Sequence, residues 1–294
     1  MRIVSLLPGA TEIVAALGLG QALVGRSHEC DTPRSVRGLP VVSTSRIDPA
    51  ALSGRGIDAA VRAAVVEGRP LYAVDAALLE ALAPDVVITQ DLCRVCAISP
   101  DALRGVSARV VTLAPRTLSG IADGVRALGR ELGAGAAAEA VAQEMCAAVA
   151  AVRARVAGRP RRRVFVAEWH DPPFAAGHWV PEQVRAAGGV DVLGTSGGPS
   201  RRVGWEQVRA ADPEVVVVAP CGYDAAGARA EWERTVAEGR VPPALAARAV
   251  VVDANALFSR PSPAVAGGVE VLAGILHGVA PQEHRGEGVR RTLP

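Results

Sequence analysis

A chain of 294 residues, half of them hydrophobic, is long enough for about two domains and a sizeable core. Its 32 basic residues are all arginine and meet 30 acidic ones, so a net charge of +2 offers no strong field for nucleic acid or an anionic membrane. No apolar run reaches the roughly 18 residues of a membrane span, so no membrane insertion is expected. The opening residues lack a basic n-region and a small-residue cleavage site, so a cytoplasmic chain is expected, or a periplasmic one if a leader has been trimmed.

Residues 2–7 form an apolar run that stops at Pro8-Gly9 and predicts a strand. Thr11 reads as the cap of a following helix with apolar positions Ile13, Val14 and Leu17. Leu23-Val24-Gly25 predicts a second strand, Val86-Val87-Ile88 a third after a helix over 76–82, and residues 110–113 a fourth. Residues 119–158 carry only helical spacing, interrupted at Gly133-Ala134-Gly135, and a helix over 136–156 would run about 30 Å as a rigid connector. Further strands are predicted at 164–167, 215–219 and 250–252. Strands alternating with helices predict an α/β fold with parallel sheets, divided as residues 1–117, a helical connector 118–158, and 159–294.

The halves echo each other. Leu82-Ala83-Pro84-Asp85 leads into one buried strand and Ala211-Asp212-Pro213-Glu214 into another, and each strand is followed by a cysteine, Cys93 or Cys221. Ligands of open α/β sheets bind beyond the carboxyl ends of strands, so facing lobes would put both loops in one crevice.

Most of the scarce chemistry sits in such loops. They hold His28, Glu29, Cys30 and Asp31; Cys93 and Cys96; Glu168, Trp169, His170, Asp171 and Phe174 with His178 and Trp179; and Cys221 and Tyr223. Cys93 and Cys96 have the C-x-x-C spacing of a metal or redox pair. With Cys30, Cys221 and His28 they could hold zinc or an iron–sulfur cluster. Glu168, His170 and His178 are the candidates for proton transfer. Trp169, Phe174, Trp179, Trp205, Tyr223 and Phe258 could wall a flat ligand, and Arg202 and Arg260 could meet its anionic groups. Cys146, inside the connector, reads as an inert buried thiol. His277 and His284 fall at a tail expected to fray.

The motifs Arg2-Ile3-Val4-Ser5-Leu6-Leu7-Pro8, Leu23-Val24-Gly25-Arg26-Ser27, Pro84-Asp85-Val86-Val87-Ile88, Asp171-Pro172-Pro173-Phe174 and Pro213-Glu214-Val215-Val216-Val217 together resemble the substrate-binding proteins of cobalamin and iron-siderophore ABC importers. The resemblance spans nearly the whole chain. It implies two α/β lobes joined by a single long α-helix, little hinge motion, and cobalamin or another metal chelate held between the lobes for delivery to a permease. Permease docking in that family uses an acidic residue on each lobe; Glu206 matches in the second, but Ala77 stands in the first, which puts docking in question. The cysteine set is similar to a cytosolic subgroup of the family. Residues 53–72 look like an insertion that could cover one side of the cleft. Two functions therefore stand open: a small-molecule binding protein for a cobalamin-like chelate, and a metalloprotein or metalloenzyme with a Cys/His-lined cleft.

Overall fold

The computed structural model describes residues 1–92, 98, 100–103 and 105–280. The first half contains β1 (Ile3–Ser5), α1 (Pro8–Ala16), β2 (Leu23–Arg26), β3 (Ser43–Ser45), α2 (Gly54–Val66), β4 (Tyr72–Val74), α3 (Ala76–Ala81), β5 (Val86–Gln90) and β6 (Arg109–Leu113). Two helices follow, α4 (Leu118–Glu131) and α5 (Gly135–Arg155). The second half contains β7 (Arg162–His170), β8 (Pro173–Ala175), α6 (Val180–Ala186), β9 (Gly189–Asp191), β10 (Arg201–Arg202), α7 (Trp205–Ala210), β11 (Val215–Val218), α8 (Ala225–Ala237), α9 (Pro243–Ala246), β12 (Ala249–Val251), α10 (Ala254–Leu257) and α11 (Val265–His277).

The result is the expected two-lobed α/β fold. The first lobe is built on a parallel sheet of order β2-β1-β5-β6. The second is built on β8-β7-β11-β12, with β9 beside β7 and β10 at the edge. Its β7, β9, β11 and β12 are parallel, while β8 returns antiparallel to β7. The all-valine β11 is wholly buried, the pattern of a strand covered on both faces.

The echo in sequence is an echo in hydrogen bonds. Arg2 N donates to Asp85 Oδ2 at 2.7 Å, and Asp85 N donates to Arg2 O at 2.9 Å. In the second lobe Arg163 N donates to Glu214 Oε2 at 2.8 Å, and Glu214 N donates to Arg163 O at 2.8 Å. Each arginine also turns its Nε onto a carbonyl at the end of the preceding helix, Leu82 O at 2.9 Å and Asp212 O at 3.1 Å. Ala83 and Asp212 share a φ of 40°, a left-handed step that ends the helix before its proline.

The helical segment breaks at 133–135, where the sequence places two glycines, and Gly133 takes φ +73°. α5 is long and apolar enough by length and composition to cross a membrane, with a mean hydropathy of 1.2. It lies instead against α4, adding Ala138, Ala142, Met145, Val149 and Val152 to the core. That core is continuous: Ile3, Ile13 and Ile88 of the first lobe, Ile121, Val125 and Leu128 of α4, and Val164, Val217 and Leu272 of the second lobe share one cluster. The helices cross so closely that a Cβ on Gly129 would stand 2.1 Å from Ala138 Cβ.

Three sequence readings are corrected. Thr11 is no cap, because Pro8 starts α1 and Leu7 takes the N-cap position; Thr11 is buried inside the first turns. Cys146 is exposed, since the alanine-rich sequence of α5 marks no face distinctly. His277 closes α11 and its carbonyl accepts Arg159 Nη1 at 2.8 Å, so it belongs to the ordered chain; His284 lies outside the described residues.

Replacing Gly129 by Val should cost about 3 kcal/mol through overpacking. Gly124→Ala, whose Cβ meets nothing within 4 Å, should be neutral or stabilising, and urea unfolding of the two variants checks the pair.

Candidate functional site

The loops after β2, β7 and β11 lie at the carboxyl ends of their strands. In the first lobe, Ser5, Thr11, Ser27 and Cys30 form a buried knot behind this edge. Cys30 Sγ is 3.0 Å from Thr11 Oγ1 and 3.2 Å from Ser27 Oγ, with no exposed surface. Burial raises its thiol pKa, and its two hydroxyl partners give Cys30, expected as a metal ligand, the surroundings of a structural thiol. His28 stands in front of the knot, half-buried, its Nδ1 2.9 Å from Ser43 Oγ and its ring 5.5 Å from that of Tyr72. Burial and the nearby Arg26 lower its pKa, which keeps the imidazole neutral.

In the second lobe the aromatic residues separate into two groups. Trp169 and Tyr223 pair at the strand ends with ring centroids 5.7 Å apart, both half-buried. Phe174 sits opposite Trp169 across the β7–β8 ladder and next to Arg202 across β8–β10. Trp179 and Phe258 are 4% and 1% exposed and bonded to each other through Trp179 Nε1 and Phe258 O at 2.8 Å, so they are core and not a ligand wall. Trp205 likewise packs on Phe165 and Trp232.

The acid–base candidates differ in their surroundings. Glu168 accepts the Gly177 N–H at 3.2 Å and the Ser200 hydroxyl, and so ties the loop over 177–200 to β7. His170 is 1% exposed and packed between Trp169 and Trp232, with burial lowering its pKa. His178, at φ +49°, uses its backbone N–H on Gly198 O at 2.6 Å while burial and Arg116 lower its ring pKa. The expected zinc or cluster site is not assembled from the described residues: no group of three or more His, Cys, Asp or Glu side chains converges among them. Cys221 is exposed, and Cys93 and Cys96 lie outside the described residues.

The charged residues at the lobe boundary hold the lobes to each other. Arg260, expected to meet a ligand anion, is instead spent across the lobes: its Nη1 lies 2.6 Å from Asp31 Oδ1 and 3.2 Å from Glu12 Oε1. Ser262 Oγ completes the junction by donating to Glu12 Oε2 at 2.5 Å. Burial raises the Glu12 pKa against these partners, whereas for Asp31 the Arg260 guanidinium outweighs burial and holds the carboxyl below its usual range. On the other side, Glu231 Oε1 accepts the Gly54 N–H at 2.6 Å, Trp169 Nε1 donates to Gly54 O at 3.2 Å, and Asp171 binds both Arg55 and Arg240. Sequence reasoning missed Gly54, Glu231 and Arg240. A glutamate in a helix or an arginine in a loop carries no local signal of a partner 177 residues away.

The family described as periplasmic binding protein matches residues 3–241, and the chain belongs to that family. No curated protein matches it. Among solved structures it is similar to the periplasmic vitamin B12 binding protein of Vibrio cholerae, at 24% identity and a TM-score of 0.66 over 93% of this chain and 95% of that one. It is similar also to a periplasmic heme binding protein from Pseudomonas aeruginosa, at 22% and 0.66 over 95% and 94%. S. aureus IsdE complexed with heme aligns at 12% and 0.70 over 94% and 98%. At these identities the likeness is one of fold.

Arg260→Met should lower stability by about 3 kcal/mol, the low end for removing one partner of a buried ion pair because Asp31 keeps part of its hydration. Denaturant unfolding at pH 7 measures it, and unchanged stability would mean the junction contributes nothing.

Proposed function

We propose that the chain is the solute-binding component of an ABC importer and takes a planar metal chelate of the corrinoid or porphyrin type between its lobes. The observation that carries this reading is the pair of half-buried rings, Trp169 and Tyr223, at the carboxyl ends of β7 and β11 in a chain of the periplasmic binding protein family. Aromatic faces exposed at a strand-end crevice offer a flat apolar ligand contact area with little entropy to lose. Across the boundary, His28 and Tyr72 form a second ring pair on the first lobe. The vitamin B12 and heme binding proteins among the structural neighbours support this ligand class.

A neutral His28 suits an axial contact to the chelated metal, because only the unprotonated imidazole has a lone pair to give. With no convergent carboxylate or thiolate set among the described residues, the cargo supplies its own metal. Docking to a permease would use the exposed ends of α3 and α7. There Glu206 is exposed and paired with Arg209 at 2.7 Å, and Ala77 leaves the first lobe without a matching acid. Engagement through Glu206 alone is therefore the expected mode.

Titration of the protein with hemin and with cyanocobalamin, followed by absorbance and tryptophan quenching, tests the reading. One of the two should bind at micromolar affinity or tighter, and Trp169→Ala should weaken it about tenfold, roughly 1.4 kcal/mol. Absence of binding by both ligands would overturn it. His28→Ala should change the absorption band of the bound chelate. Because burial pushes the His28 pKa down, the wild-type band should persist to lower pH than a contact from a solvent-exposed imidazole would, and be lost on further acidification.

A further inference from the structure

We infer that residues 46–71 form a lid over the crevice, fixed at its base and latched at its tip onto the second lobe. The inference rests on the reading that a ligand occupies the space between the lobes. The base is the antiparallel pair β3–β4, a two-stranded sheet separate from the main sheet of its lobe. It is closed by Arg46 N on Leu71 O and by Asp75 N on Val42 O, each at 2.9 Å. Between these ends the chain travels out through α2 and back.

α2 holds weakly to its own lobe. Of its thirteen residues it buries Gly54 and Ala64, while Val65 and Val66 are 56% and 87% exposed. A hollow of about 250 Å³ lies within the segment, lined by Ile47, Leu52, Ala60, Ala63, Ala64 and Leu71 among others. Such a helix draws its position from whatever holds its ends.

Its N-terminus is held by the other lobe. Ser53 caps it locally by accepting the Gly56 N–H at 3.2 Å, and Glu231 caps it from across the boundary by accepting the Gly54 N–H at 2.6 Å. A carboxylate at a helix N-terminus also meets the positive end of the helix dipole. The approach is tight: a Cβ on Gly54 would stand 3.0 Å from Glu231 Oε1 and 3.6 Å from the Trp169 ring. Arg55 to Asp171 at 3.1 Å and Asp58 to Arg202 at 3.6 Å complete the latch. Every one of these contacts is polar, so water can replace each as the tip lifts, and the exposed arginines make the set sensitive to salt. The latch also touches Trp169 directly, through its Nε1 on Gly54 O, so the lid closes on the ring proposed to meet the ligand.

Hydrogen exchange on the ligand-free protein tests the latch without reference to any ligand. Amides of α2 should exchange at least tenfold faster than those of α4 and α5. The double variant Arg55→Ala with Asp58→Asn, and separately 1 M NaCl, should speed α2 a further several-fold and leave α4 and α5 unchanged. Glu231→Gln, which keeps the shape and removes the charge, should act in the same direction. Exchange of α2 in step with α5 in all of these would overturn the inference and make the segment a fixed wall. In stopped flow, the double variant should bind hemin or cyanocobalamin several-fold faster with a smaller change in Kd. An unchanged association rate would overturn the gating role. If neither compound binds the wild type, the proposed function fails, and the exchange data alone decide whether the segment is latched.

Discussion

Side chains from β1, α1, α4, α5, β7 and α11 bury against one another in one cluster, so the two sheets share a core across the lobe boundary. Prising the lobes apart would return that surface to water at about 2.5 kcal/mol for each 100 Å². The approach at Gly9, where a Cβ would lie 2.9 Å from Pro261 O, shows how closely the lobes fit on the α1 side. A core shared in this way opposes a wide hinge motion of the lobes, because parting them would expose it to water.

That constraint explains how the charged residues at the boundary are used. Arg260 with Glu12 and Asp31 on one side, and Glu231 with Gly54 and Asp171 with Arg55 on the other, join the lobes, while Arg240 holds Asp171 from within the second lobe. The half-buried rings Trp169 and Tyr223 stay outside these ion pairs, and under the proposed function they are the surface offered to a flat apolar ligand. The two sides differ in kind. The Arg260 junction adjoins the shared core, whereas the α2 contacts hold a helix that has little apolar anchorage of its own.

The strands β1, β2, β5, β6, β7, β11 and β12, the alternation with helices and the break at Gly133 were legible because they depend on local rules of pattern and turn chemistry. The repeated Pro-acid turn was legible for a deeper reason: Asp85 and Glu214 do the same work on Arg2 and Arg163 in each lobe. The β7–β8 reversal was hidden because β8 is three residues beginning at a proline. Rarity singled out Trp169, Tyr223 and His28 as candidates, and the structure sets their rings in pairs near strand ends. What sequence could not show is which candidates already have distant protein partners. Arg260 and Cys30 have the right chemistry for a ligand, but Asp31 and Glu12 engage the first and Ser27 and Thr11 engage the second. No spacing in the chain reports those encounters.

The most direct test is a crystal structure of the protein grown with whichever of heme or cobalamin it binds. The account predicts the ring system between the lobes against Trp169 and Tyr223, with the α4–α5 pair and the Arg260 junction unmoved. A chelate bound elsewhere, or lobes rotated apart to receive it, would contradict the claim that a shared core fixes the crevice.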